Sequence, residues 1–275
     1  MIKRILVGLG DRVFAASATK HAIRFAQQFD AEVAGVTICD MNRLEHLGPV
    51  PIGAGAAAAE LREHRLHQMQ EALAGAVAEF ESLCGAAGLS HRVLQATGDP
   101  FAGLIAHARY YDLIVCGLKN LFGHGVVDEP PVELVRLVDG GVRPLIAVTD
   151  EYREVRRVLI AYSGSAESAK TMKRFVQLRL WPEASVRIVT FNKTPEEAQV
   201  LLSEAAEYCH VHGLDPVIEH VDKYPKHELL PYAKDHSTDA IVIGNSARNL
   251  LLRRVFGETV LSVIEHAECP LFLSQ

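Results

Sequence analysis

The feature that most limits how this chain can fold is that it repeats itself. Asp112-Leu-Ile-Val-Cys-Gly117 returns 127 residues later as Asp239-Ala-Ile-Val-Ile-Gly244, and Arg143-Pro-Leu-Ile-Ala-Val148 returns after 126 as Cys269-Pro-Leu-Phe-Leu-Ser274. Arg4-Ile-Leu-Val-Gly-Leu9 is answered by Arg157-Val-Leu-Ile-Ala-Tyr162, 153 residues on. Three apolar segments recurring in one order imply two copies of a single unit, so the 275 residues divide into two domains of ordinary size. The separation shrinks from 153 to 127, which gives the first copy 26 additional residues between its first and fourth strands. Most of the excess falls on Asp40–Ala59, where Gly48-Pro-Val-Pro51 and Gly53-Ala-Gly55 read as a loop insertion.

Within each copy the pattern alternates. Ile2–Leu9 is an apolar, β-branched run suited to a strand buried on both faces. Ala15–Phe29 then places Ala15, Ala18, Ala22, Phe25 and Phe29 on one helical face. Glu32–Cys39 (strand), Glu60–Ala87 (helix) and His91–Ala96 (strand) follow. Asp99-Pro100 opens a helix as N-cap and first-turn proline. Leu113–Cys116 and Leu145–Val148 are strands flanking a helix near Val132–Val138. The second copy repeats the order with strands Val155–Tyr162, Val186–Phe191, Val217–Val221, Ala240–Gly244 and Leu271–Ser274. Its helices are Ser168–Leu180, Pro195–His210, Glu228–Asp235 and Glu258–His266. The alternation predicts two tandem Rossmann-like, doubly wound α/β domains, each with a five-stranded parallel sheet. Thr149–Arg153 is the polar linker, giving domains at residues 1–149 and 154–275.

Composition narrows the partners. Lys and Arg number 28 against 34 Asp and Glu, a net charge of −6, so no general positive field draws the chain to nucleic acid or to an anionic membrane. Phosphate binding would need a local site. The five cysteines, at 39, 84, 116, 209 and 269, are widely spaced without a CxxC, the pattern of buried thiols in a reducing compartment. No tripartite leader precedes Ile2 and no apolar run reaches the roughly 18 residues of a membrane span, so the expectation is a cytoplasmic protein.

Open α/β sheets bind ligands at the carboxyl ends of their strands, so the loops after strands one and four carry the search. Gly8-Leu-Gly-Asp-Arg-Val13 follows a strand and opens a helix but lacks the third glycine of a dinucleotide fingerprint; Asp40, at the end of strand two, could grip a ribose. A tight strand-to-helix turn is the favoured reading of that loop. The second copy's loop after strand four runs from Gly244-Asn-Ser-Ala-Arg248 through Arg253 and Arg254 to Gly257-Glu-Thr259, then a helix and His266-Ala-Glu-Cys-Pro270.

With these residues, with Gly98-Asp-Pro100, and with the aspartates before each fourth strand, Asp112 and Asp239, the whole chain resembles a tandem universal stress protein. Domains of that family end in G-x2-G-x9-G-[ST], a helix and a Cys-Pro or Arg-Pro pair before the last strand. The resemblance implies a non-enzymatic stress-response protein whose halves pair about a pseudo-two-fold axis, with Leu145–Val148 meeting Leu271–Ser274; a homodimer of whole chains stays open. It also implies ATP or ADP, with only nucleotide-associated magnesium, held in the second half by Ser163, Gly164, Ser165, Gly244, Asn245, Arg248, Gly257, Glu258 and Thr259.

The departures weigh against tight binding. Ala247 replaces the middle glycine, Glu258 stands where Ser or Thr follows the last glycine, and Ser163 replaces an aspartate. Arg248, Arg253 and Arg254 could offset Glu258 by forked contacts to phosphate. The first half departs further, with Gly10-Asp11-Arg12, Asn120 and Asp128-Glu-Pro-Pro131 at the matching places. Two alternatives stay open. One is an interaction scaffold for a protein partner, or a small-molecule binder, with both nucleotide sites decayed. The other is a dinucleotide enzyme using Gly8, Gly10 and Asp40.

Metal chemistry finds little support. Cys209 recurs as Cys84, each four residues before a helix-ending glycine, Gly213 and Gly88, so packing explains the position better than ligation by His210 or His212. His64 and His67 lack a third ligand and suit a solvated helix face, and His124 suits a solvated loop.

Overall fold

Apolar β-branched runs become strands with both faces buried, and the stretches between them become helices laid on those faces. The computed structural model describes residues 1–39, 55–119, 134, 136–138, 140–142, 144–244 and 257–274. The first half comprises β1 (Arg4–Gly8), α1 (Arg12–Phe29), β2 (Glu32–Cys39), α2 (Gly55–Ala86), β3 (His91–Thr97), α3 (Pro100–Ala108), β4 (Leu113–Gly117) and β5 (Leu145–Val148). The second comprises β6 (Arg157–Ala161), α4 (Ala166–Leu178), β7 (Ser185–Phe191), α5 (Pro195–Val211), β8 (Val217–Val221), α6 (Pro225–Asp235), β9 (Ala240–Gly244), α7 (Glu258–His266) and β10 (Leu271–Ser274). Residues 134 and 136–138 are helical, and residues 149–156 form neither helix nor strand.

The expected pair of five-stranded parallel sheets is present, joined into one ten-stranded sheet of order β3-β2-β1-β4-β5-β10-β9-β6-β7-β8. Pairing is parallel within each half, and β5 meets β10 antiparallel. The register there is Leu271 opposite Ala147, Phe272 opposite Ile146 and Leu273 opposite Leu145. Ile146 and Phe272 are equivalent residues of the repeat, so a local two-fold axis runs between them. Two strand edges that would each be open to aggregation cover one another.

Side chains alternate across the sheet into two cores, and each core runs through both halves. Ile5, Val7, Ile146 and Phe272 face α1, α2, α4 and α5; Leu6, Leu145, Ala147 and Leu271 face α3, α6 and α7. Over the seam, the Phe25 and Trp181 rings lie 5.7 Å apart, as do those of Phe175 and Phe272. Fully burying one such side chain contributes about 1.5–3 kcal/mol.

The repeat also places matching staples. The Asp112 carboxylate accepts from the backbone N–H groups of Lys3 (2.8 Å) and Arg4 (3.0 Å); Asp239 accepts from those of Arg156 (3.1 Å) and Arg157 (2.9 Å). These two aspartates fasten the start of each first strand to the fourth. At the ends of α2 and α5, Gly88 and Gly213 take positive φ, and Leu89 and Leu214 donate N–H to the carbonyls of Cys84 and Cys209. Both cysteines are fully buried, as a packing role requires.

Several element boundaries differ from the sequence expectation. α1 begins at Arg12 rather than Ala15, because Asp11 accepts from the Val13 N–H and caps it. α4 begins at Ala166 under the Ser165 cap, and α6 begins at Pro225 rather than Glu228. Residues 55–59 of the expected loop insertion belong to α2, whereas 40–54 lie outside the described residues. The expected Asp99 cap is present, accepting from the Phe101 N–H at 2.9 Å with Pro100 behind it.

Candidate functional site

At the carboxyl end of the second half's sheet, β6 hands the chain to α4 through the turn predicted to matter. Tyr162 donates its N–H to Val189 O (2.9 Å), and Gly164 takes φ +76° to reverse the chain. Ser165 then caps α4, its Oγ accepting from the Ser168 N–H at 3.2 Å. Ser163 Oγ lies 3.1 Å from Ser165 Oγ and 3.2 Å from Ser168 Oγ, so three hydroxyls gather at one helix N-terminus. Ser163 is the exposed one and Ser168 is buried.

Gly244 ends β9 against this turn. A Cβ there would lie 2.8 Å from both Glu167 O and Ser168 Cα, so only glycine lets the strand end approach the first turn of α4. Beyond it a cleft of about 80 Å³ opens between β6, β9, α6 and α7. Phe191, Leu229, Ile243 and Val260 make apolar walls, while Ser163, Ser168 and Thr259 supply hydroxyls. The Phe191 ring is backed by Tyr232, whose hydroxyl donates to Glu219, and Glu219 also takes Arg187 Nη1 at 2.8 Å. Burial, followed by the Glu219 hydrogen bond, pushes the Tyr232 phenol up, so it stays protonated as that donor. On the other side, burial first, then Glu204 and Cys209, raise the Tyr162 phenol above its ordinary value.

Gly257 stands at the N-cap of α7 in extended conformation with no side-chain cap, and Thr259 is half-buried at the cleft. Glu258 is exposed, and Lys226 Nζ, from the start of α6, pairs with it at 3.0 Å. That cation was not foreseen: the two residues are 32 apart in sequence, and only the packing of α6 beside α7 brings them together. The pair neutralises a carboxylate that otherwise stands where an anion would approach. Ser163, Gly244 and Thr259 thus line one cleft, whereas Gly164, Ser165, Gly257 and Glu258 adjoin these residues in the chain without lining it. Asn245, Ala247, Arg248, Arg253 and Arg254 lie outside the described residues.

The first half is built differently at the same place. Leu9 donates its N–H to Val36 O (2.8 Å), as Tyr162 does to Val189, but its side chain is buried over Gly35, where a Cβ would come within 2.6 Å of it. Gly117 packs on α1 as Gly244 packs on α4, with a Cβ there 2.7 Å from Phe14 Cβ. Leu118, the next residue, is buried. Gly8 is paired within β1, Gly10 is buried, and the Asp11 carboxylate caps α1, so the dinucleotide alternative meets a closed turn carrying a negative charge. Asp40, Asn120, His124, Asp128, Glu129, Pro130 and Pro131 lie outside the described residues.

Among the described residues no three His, Cys, Asp or Glu side chains gather in a metal-holding group. His210 pairs with Asp215 (2.9 Å), the His212 ring lies 4.6 Å from that of Tyr208, and His64 and His67 are exposed on α2. Cys84, Cys116 and Cys209 are buried, and burial pushes the Cys84 and Cys209 thiols up to about 11. No helix among the described residues is long and apolar enough to cross a membrane.

Comparison with known proteins agrees with this architecture. The model of the Universal stress protein family matches residues 1–123 and 192–274. Universal stress protein Slr1230 of Synechocystis sp. (strain ATCC 27184 / PCC 6803 / Kazusa) is 20% identical over 162 residues, covering 58% of this chain and 56% of that protein. The chain therefore matches little more than half the length of that curated relative. Among solved structures, a universal stress protein from Archaeoglobus fulgidus DSM 4304 is similar with TM-score 0.63 at 16% identity, over 99% of this chain and 96% of that one. A functionally unknown protein from Pseudomonas aeruginosa PAO1 gives 0.57 at 16% identity, over 99% and 92%.

Proposed function

The chain belongs to the universal stress protein family, and from that premise we propose that it is a non-enzymatic binding protein of the stress response that takes ATP or ADP weakly in the cleft of its second half. The observation that carries this reading is Gly244 packed bare against the first turn of α4, which leaves an apolar cleft with hydroxyls at its edge. The base would lie between Phe191, Leu229, Ile243 and Val260, and the ribose and phosphates would run toward Thr259 and Ser163. The first-turn N–H groups of α7 favour an anion, since Gly257 offers them no side-chain cap. Lys226 offsets Glu258 there. Asn245 and Arg248 would add phosphate contacts, and magnesium would travel with the nucleotide. The halves, divided near Thr149–Arg153, then act as one ligand-binding domain and one structural domain, in a chain that pairs with a second copy.

Calorimetric titration with ATP and ADP tests this. Saturable binding at or below millimolar concentration is expected, and Gly257→Asp should abolish it by setting a carboxylate at the helix start while still capping α7. The absence of saturable binding at millimolar nucleotide would leave the scaffold reading. That reading draws on the Ser163 hydroxyl, already engaged with Ser165 and Ser168.

A further inference from the structure

Thr37 and Thr190 hold equivalent places in the two halves, one residue beyond the carbonyls of Val36 and Val189 that receive the Leu9 and Tyr162 N–H groups. Both are buried, at 5% and 0% exposure, and both hydroxyls lack a hydrogen-bond partner. An unsatisfied buried hydroxyl is costly, so its recurrence in both halves calls for a physical account. The helices above them differ. α5 buries Ala198, Leu202, Ala205, Ala206 and Cys209 along its length and closes over its sheet. α2 has 32 residues yet buries only Met69, Ala76, Phe80 and Cys84. Ala74 and Ala78 present only methyl groups toward the strands and leave the space there unfilled, and a cleft of about 710 Å³ remains between α2 and the Thr37–Gln95 pair of β2 and β3.

We infer that this cleft beneath α2 is a second small-molecule site, for an amphipathic amine or amide whose polar head satisfies Thr37. Its volume falls within the range of about 300–1,000 Å³ usual for ligand pockets. Leu73 and Val77 provide an apolar wall, and Gln70, Gln95 and Thr97 provide neutral donors and acceptors. Glu81 is the one ionisable group among the described residues lining it, which favours a cation and disfavours an anion. From Gln70 to Glu81 the helical wall runs about 16 Å, long enough for an aromatic or branched body ending in an amine. Thr37 lines the cleft while its hydroxyl is buried and unpartnered, so the ligand would reach it through a χ1 step between staggered wells and offer the partner that the protein withholds. Nothing in this site depends on the nucleotide cleft of the second half.

The test is titration of the full chain by ligand-observed NMR with 2-phenylethylamine, benzamide and the anionic isostere phenylacetate. Saturable binding of the amine and the amide is expected, with phenylacetate at least about tenfold weaker. Thr37→Val should weaken the amine about three- to tenfold, whereas Thr190→Val should leave it unchanged. Ala78→Trp should abolish binding by filling the cleft. Should that variant fail to fold, Glu81→Gln decides the case, since an exposed change must bring the amine and the acid to within about twofold of each other. The inference is overturned if no probe binds by about 10 mM, if binding survives in a folded Ala78→Trp, or if Glu81→Gln keeps the preference for amine over acid.

Discussion

Leu9 and Tyr162 donate equivalent N–H groups to equivalent carbonyls, at 2.8 and 2.9 Å, and the two turns then part company. In the first half Leu9 and Leu118 are buried, and an aspartate caps α1. In the second, three serines surround a turn held open by Gly164, and a cleft extends from it to Thr259. Beneath both turns the scaffold is the same: a glycine closing on the first helix, an aspartate clasping the first strand, and equivalent core strands paired across the seam. The difference teaches where this fold tolerates divergence. Sheet pairing and close backbone approach repeat because each half needs them to exist, while the residues at the strand ends are free of that demand and differ between the halves.

The comparison can be broken hardest at His21, which holds the position in α1 that Phe175 holds in α4. His21 is fully buried with neither ring nitrogen hydrogen-bonded, 4.6 Å from the Tyr152 ring, and burial, then the Arg24 charge, lower its pKa from 6.5 to about 4. The unfolded chain binds the proton more readily. Stability is therefore full above pH 6.5 and falls as the pH drops toward 4, by about 3 kcal/mol. Urea midpoints measured from pH 7 to 4 should show this loss, and His21→Phe should flatten it. An unchanged slope in the variant would mean that other groups carry the acid sensitivity.

Next come the two packed glycines. Gly244→Ala and Gly117→Ala should each cost about 1–3 kcal/mol by chemical denaturation, because the added methyl meets backbone or Cβ atoms that move only with their helix. A large cost in one half alone would break the equivalence of the scaffold. Smaller still, Asp112→Ala and Asp239→Ala should each lose about 1.5 kcal/mol through their paired backbone hydrogen bonds. Lys226→Ala should alter stability by less than about 1 kcal/mol, as befits an exposed ion pair. It should nonetheless weaken ATP binding severalfold in the calorimeter, by leaving Glu258 uncompensated.

Much of this was legible in the sequence because it is local or repeated. The three repeated segments give the first, fourth and fifth strands of each half, and Asp99-Pro100 marks a helix start from two adjacent residues. The meeting of β5 and β10 was implied by family resemblance rather than by any pattern of spacing. What escaped depends on distance in the chain. Lys226 beside Glu258 follows from the packing of two helices. The burial of His21 depends on Tyr152 and on the seam between the halves. The start of α2 at Gly55 was hidden because residues 55–59 are a glycine and alanines, mostly exposed, with no apolar face to read.

The central claim, one scaffold twice over with the nucleotide cleft at the strand ends open, among the described residues, only in the second copy, is tested most directly by amide hydrogen exchange with and without saturating ATP. Protection should appear at residues 163–168, 243–244 and 257–260, with residues 8–14 and 117–119 unchanged. Equal protection at both sets, or protection confined to the first, would contradict the account.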